Sequence, residues 1–192
     1  MKTTMVTLLV GLSFATMASA NIISNGDFET GDFTDWNLSS GVSIIENTGP
    51  SVAGTYAAKL IAGNDIRVDK IAMSEGDLFN VSYDYNTSPL KDGGTLVAGT
   101  WFRFFNAAGS FLGQQAHVHA ETVGWETESF TTTAAPVGTT QFDFQLKSRD
   151  ANQMWLDNIS VDAVPEPTTL SLFGLAAAAM MVIRKKTSIS CR

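Results

Sequence analysis

The chain has 192 residues, 44% of them hydrophobic, and a formal net charge of −7. That length accommodates one sizeable core, and the negative charge argues against nucleic acid or anionic lipid as partners, since both need a positive field. The single cysteine, Cys191, rules out an intrachain disulfide framework.

Lys2, an apolar stretch over residues 5–14 and the small-residue step Ala18-Ser19-Ala20 follow one another at the N-terminus. This is the three-part layout of a secretory signal, and the apolar stretch is too short to span a bilayer permanently. Residues 1–20 are therefore expected to form a signal helix, which signal peptidase removes to leave Asn21 as the mature N-terminus.

Between residues 21 and 163 no segment sustains helical periodicity. Short alternating runs rich in Val, Ile, Phe, Tyr and Thr recur between clusters of Gly, Asn, Asp and Pro. Strands are predicted at 22–28, 42–46, 56–61 and 65–73. Phe79, Val81, Tyr83 and Tyr85 then alternate with Asn80, Ser82, Asp84 and Asn86, giving one apolar and one polar face. Residues 101–105 are almost all aromatic, so both faces must be at least partly covered. Residues 107–110 read as a hairpin turn. Further strands are predicted at 126–132, at 141–146 with Phe142, Phe144 and Leu146 inward, and at 154–161. The sum is an all-β sandwich with about the strand number of a jelly roll.

Beyond this region, Val164-Pro165-Glu166-Pro167 breaks regular structure, residues 170–183 are uncharged and rich in helix formers, and Arg184-Lys185-Lys186 closes the run. A basic cluster stays on the cytoplasmic side. The apolar stretch is short against the roughly 20 residues of a spanning helix, so a transient inner-membrane anchor is expected. Residues 164–192 resemble a PEP-CTERM sorting signal in all three parts. The resemblance implies that an exosortase recognises Pro165, Glu166 and Pro167 and removes the helix with its basic tail. The domain would then pass to the cell surface or the extracellular matrix of a Gram-negative-type bacterium that makes exopolysaccharide. Between the two removable ends lie all nineteen acidic residues but only seven of the twelve basic ones, a balance that leaves neutral glycans and divalent cations as ligands.

The segment Asn21-Ile22-Ile23-Ser24-Asn25-Gly26-Asp27-Phe28-Glu29, with Gly31 and Trp36, resembles the opening of galactose-binding-like carbohydrate-binding modules. Residues 54–60, 105–109, 125–130 and 155–161 follow in the order that family uses. The resemblance implies a jelly-roll fold and a structural calcium (Ca2+) held by Glu29 near the start and Asp157 near the end, with backbone carbonyls. Taken as residues alone, both read equally as surface carboxylates.

Alternation along residues 101–105 puts Trp101 and Arg103 on the face opposite Phe102 and Phe104. Asp84 and Gln145 project from polar faces of other strands, while Gln115, His117 and His119 share a face. An aromatic ring beside directed polar groups suits a sugar, whose C–H face stacks while its hydroxyls form hydrogen bonds. Trp101, Arg103, Asp84, Gln115, His117 and Gln145 are therefore the candidate ligand-binding residues, the other reading being a core Trp101 among solvated polar side chains. His117, His119 and Glu121 could in principle hold zinc, but surface histidines are the expectation. Hydrolase signatures such as Gly-x-Ser-x-Gly and His-Glu-x-x-His do not occur. The expected function is noncatalytic association with matrix polysaccharide. The alternatives are a structural or adhesive matrix protein without specific sugar binding, or a small metal-dependent hydrolase.

Overall fold

The computed structural model describes residues 21–46, 54–87, 98–149 and 153–164. The signal segment, Pro165, Glu166, Pro167, Arg184, Lys185, Lys186 and the helices expected at both ends lie outside the described residues. The strands are β1 (Asn37–Leu38), β2 (Val42–Glu46), β3 (Tyr56–Ile61), β4 (Asp65–Ala72), β5 (Phe79–Thr87), β6 (Ala98–Phe105), β7 (Phe111–His119), β8 (Glu126–Thr131), β9 (Gln141–Ser148) and β10 (Gln153–Ala163). They form two five-stranded antiparallel sheets, ordered β1-β4-β9-β6-β7 and β2-β3-β10-β5-β8.

Period-two patterning decides which side chains fill the space between the sheets. Phe79, Val81, Tyr83 and Tyr85 on β5 meet Phe102 and Phe104 on β6 and Phe142, Phe144 and Leu146 on β9, and all are buried. The rings of Phe102 and Phe142 stack at 4.2 Å, and Phe79 lies 5.0 Å from Phe142. Each such side chain contributes roughly 1.5–3 kcal/mol by leaving water. A polar seam crosses the same core. The Tyr83 hydroxyl lies 3.0 Å from Thr100 Oγ1 and 2.6 Å from His119 Nε2, joining β5 of one sheet to β6 and β7 of the other.

The segment predicted as a strand at 22–28 is instead a series of turns with one antiparallel bridge, between Asn21 and Asp162. Asn25 (φ 48°) and Phe28 (φ 54°) adopt left-handed backbone, which breaks the regular extended run a strand here would need. The segment still completes a sheet. Ile22 N–H donates to the Val161 carbonyl and Ile159 N–H to the Gly26 carbonyl, both at 2.9 Å, beside the part of β10 that β3 does not reach. It buries Ile23, Phe28 and Trp36 in the core. The two-residue β1, too short for any period to register, has no counterpart among the sequence-predicted strands.

Candidate functional site

On the outer face of the sheet β1-β4-β9-β6-β7, alternation along β6 and β9 brings Trp101, Arg103, Gln145 and Lys147 outward, opposite the buried phenylalanines. Trp101 is flanked in register by Ala116 on β7 and Gln145 on β9. Gly99, two residues earlier on the same face, has no side chain to lift the indole. A Cβ there would stand 3.0 and 3.2 Å from its ring atoms. The indole thus lies across Gly99 as the floor of a groove of about 300 Å3, lined by Trp101, Arg103, Gln114, Gln145, Lys147 and Arg149.

Several of these side chains are fixed in place. Arg103 grips Asp143 through two charge-assisted hydrogen bonds, of 2.7 and 2.8 Å. Burial pushes the Asp143 carboxyl above its ordinary range, and the guanidinium pulls it back. Gln145 Nε2 donates to Asp65 Oδ2 at 2.6 Å. The Arg149 guanidinium stands 5.9 Å from the centre of the Trp101 ring.

Of the six residues singled out for sugar binding, the structure thus brings together Trp101, Arg103 and Gln145. Gln115 and His117 lie on the inward side of β7, in register with Phe102 and Thr100. The His117 ring stacks on Phe130 at 3.6 Å and its Nδ1 is 3.4 Å from Glu128, while Gln115 accepts the Thr133 N–H at 2.7 Å. His119 is buried rather than a surface histidine: it stacks on Tyr85 and bonds Tyr83. Asp84 projects from the outer face of the opposite sheet, where it accepts from Thr127 Oγ1 and Asn158 Nδ2. Side-chain alternation gave each strand two faces but could not say which faces of different strands coincide. Gln114, Lys147 and Arg149 were missed for the same reason, although Lys147 follows Gln145 at the spacing of two that shares a face.

Glu29 and Asp157, expected to hold calcium, both lie against the sheet β2-β3-β10-β5-β8, Asp157 on its central strand. Glu29 Oε1 accepts the backbone N–H groups of Thr55 and Tyr56, at 2.8 and 3.0 Å, where the chain enters β3. Asp157 is fully buried at a bulge in β10, and the left-handed Asn158 (φ 50°) donates its N–H to Asp157 Oδ1 at 2.8 Å. Burial above all, then the negative charges of Asp84, Glu29 and Asp27, push Asp157 up to about 7, against the pull of the Asn158 hydrogen bond. The donors are oxygens, and a buried carboxyl among like charges is what a hard cation would relieve, so the residues fit calcium in kind. Among the described residues no three His, Cys, Asp or Glu side chains converge as a metal cluster. A cation here would therefore take its remaining ligands from backbone carbonyls or water.

Comparison with known proteins agrees with this architecture. A family 16 carbohydrate-binding module-2 superposes with a TM-score of 0.57 at 19% identity, covering 73% of this chain and 99% of the module. The CBM22-1 xylan-binding domain from Paenibacillus barcinonensis Xyn10C does so at 0.55 and 15% identity, over 79% of this chain and 99% of that domain. The enzymatically active domain of bacteriophage CBA120 tailspike protein 4 gives 0.57 at 14% identity over 75% of this chain, which spans only 21% of that protein. No curated protein matches the sequence. The PEP-CTERM protein-sorting motif matches residues 163–186 and marks an exported protein sorted through the membrane toward the cell surface. The chain therefore carries a PEP-CTERM sorting motif behind an all-β, two-sheet domain with the jelly-roll, galactose-binding-like fold of carbohydrate-binding modules.

Proposed function

We propose that this protein is an exported, noncatalytic domain that binds polysaccharide of the extracellular matrix through the Trp101 groove, after exosortase has removed its C-terminal tail. The observation that carries the reading is the half-buried indole laid across Gly99 on the outer face, with Arg103 and Gln145 held beside it by Asp143 and Asp65. A pyranose stacks its C–H face on such a ring and directs its hydroxyls to the neighbouring polar groups. The lining of the groove among the described residues contains no carboxylate, whereas glycoside hydrolysis generally uses a facing pair. This supports binding without cleavage.

Affinity electrophoresis in gels containing the host's exopolysaccharide is the direct test. Native protein is expected to be retarded, and Trp101→Ala to lose at least about tenfold in affinity, the usual scale for an aromatic anchor. Because the indole is half-buried on the outer face and not part of the core, the melting temperature of the variant should stay within a few degrees. Equal retardation of the two proteins would refute the groove. Mass spectrometry of secreted protein should find Asn21 at the N-terminus and no Arg184, Lys185 or Lys186. An intact precursor as the only extracellular form would refute the processing. Calcium belongs to the same proposal as a structural ion on Glu29 and Asp157, joining the N-terminal segment to β10.

A further inference from the structure

The charges of the domain are not distributed like its composition. Between the two terminal segments, over residues 21–163, seven basic residues stand against eighteen acidic ones. Three of those seven, Arg103, Lys147 and Arg149, line the Trp101 groove, and among the described residues no acidic side chain does. Arg103 is matched by Asp143. The other ion pairs among the described residues are Arg67 with Asp69 and His117 with Glu128, so Lys147 and Arg149 enter no ion pair there, and the Asp65 carboxylate, cross-strand from Lys147, is engaged by Gln145. Their placement follows from register. Lys147 is the Cα partner of Gly99, the residue beneath the indole, and Arg149 continues the outward alternation of β9.

We infer that the ligand of this groove is an anionic polysaccharide, with a carboxylate or sulfate substituent accepted by Lys147 and Arg149 while its sugar ring stacks on Trp101. The inference rests on the groove being the polysaccharide site proposed above, and adds the class of glycan. A pyranose stacked on the indole carries its ring substituents outward to the edge of the aromatic system. The Arg149 guanidinium stands over the Trp101 ring, 5.9 Å from its centre, so a sugar stacking there meets it directly, and its planar fork matches two oxygens of a carboxylate or sulfate. The acidic surplus elsewhere does not cancel this. At physiological salt the screening length is about 8 Å, and the facing sheet, with the Asp84, Glu29 and Asp157 cluster on its far side, lies about 10 Å away, the usual spacing of packed sheets. Groove and body therefore present opposite signs to a ligand within contact range. A nucleic acid strand also offers stacking and anions, but its long, dense charge would meet the acidic body beyond the short groove.

Isothermal titration of the native domain and a Lys147→Gln/Arg149→Gln variant separates these readings, using polygalacturonate, fully methyl-esterified polygalacturonate, dextran sulfate, dextran and a single-stranded oligonucleotide. One or both charged glycans should bind at least about tenfold tighter than the uncharged form of the same backbone. The double variant should lose that difference without losing its folded baseline by circular dichroism. The salt dependence of binding should fall by about two counterions, one per cation removed. Which charged polymer binds distinguishes a carboxylate from a sulfate. If native protein binds charged and uncharged forms equally, or the double variant matches native, the anionic class is wrong while polysaccharide binding stands. If no glycan binds, or the oligonucleotide binds more tightly than any glycan, both readings fall.

Discussion

At Trp101 the decisive neighbour is a residue with no side chain. Gly99 lets the indole lie along the strand, and any larger residue there would lift the ring and also press on the His117 carbonyl of β7. Polar residues inside the sandwich carry a different consequence. Burial lowers the His119 pKa to about 4 from the ordinary 6.5, with Glu128 opposing the shift and His117 adding to it. An unfolded chain takes up this proton below pH 6.5 and the folded one only below about 4. The folded state therefore loses stability as pH falls through that window, by up to about 3 kcal/mol from this residue. Urea titrations from pH 7.5 to 4 should show native protein losing stability more steeply than His119→Gln, and parallel curves would contradict this account. Tyr83, in contact with both Thr100 and His119, is held above its ordinary pKa mainly by burial. Tyr83→Phe strands two buried polar partners and should cost about 1–3 kcal/mol in the same assay.

The N-terminal segment is the element whose behaviour departs most from its pattern. Its apolar residues, Ile23 and Phe28, reach the core as a strand's would, but through turns. Gly26 is where the segment touches β10: a Cβ there would overlap the Ile159 carbonyl oxygen, a backbone atom that cannot swing away. Gly26→Ala is expected to destabilise by about 2–4 kcal/mol, on the scale of severe overpacking. Chemical denaturation measures this, and a loss under about 0.5 kcal/mol would mean that the segment does not dock on β10 in this way. The bulge that follows Asp157 also resists sequence reading. Nothing in Leu156-Asp157-Asn158-Ile159 marks the register shift, although Asn tolerates the left-handed backbone that the bulge requires.

For the molecule as a whole, calcium would act as a clasp between the beginning and the end of the domain. If Glu29 and Asp157 share an ion, chelator should lower the melting temperature by several degrees and added calcium should restore it, because a ligand that binds only the folded state stabilises it. Asp157→Asn removes a buried carboxyl crowded by Asp84, Glu29 and Asp27, so it should melt at or above the chelated native protein and gain nothing from calcium. A full calcium response in that variant would refute the assignment. At the same scale, the net charge of the chain and the charge of its groove point to different ligands. Composition speaks for the average surface, and binding depends on the local one.

The sequence by itself determined the sorting motif and the all-β class, because each is written in contiguous residues: prolines, an apolar block, a basic stop and period-two alternation. It also determined that Trp101 and Arg103 face away from Phe102 and Phe104, a property of one strand. Only the tertiary structure decided which faces meet. The strand order β4-β9-β6-β7 gathered Trp101, Gln145, Lys147 and Arg149 into one groove, sent Asp84 to the opposite sheet, and turned Gln115 and His117 inward. Alternation fixes a side chain's face to within a choice of two, and pairing between strands distant in sequence makes that choice, so a site assembled across strands becomes visible only when the sheet is complete.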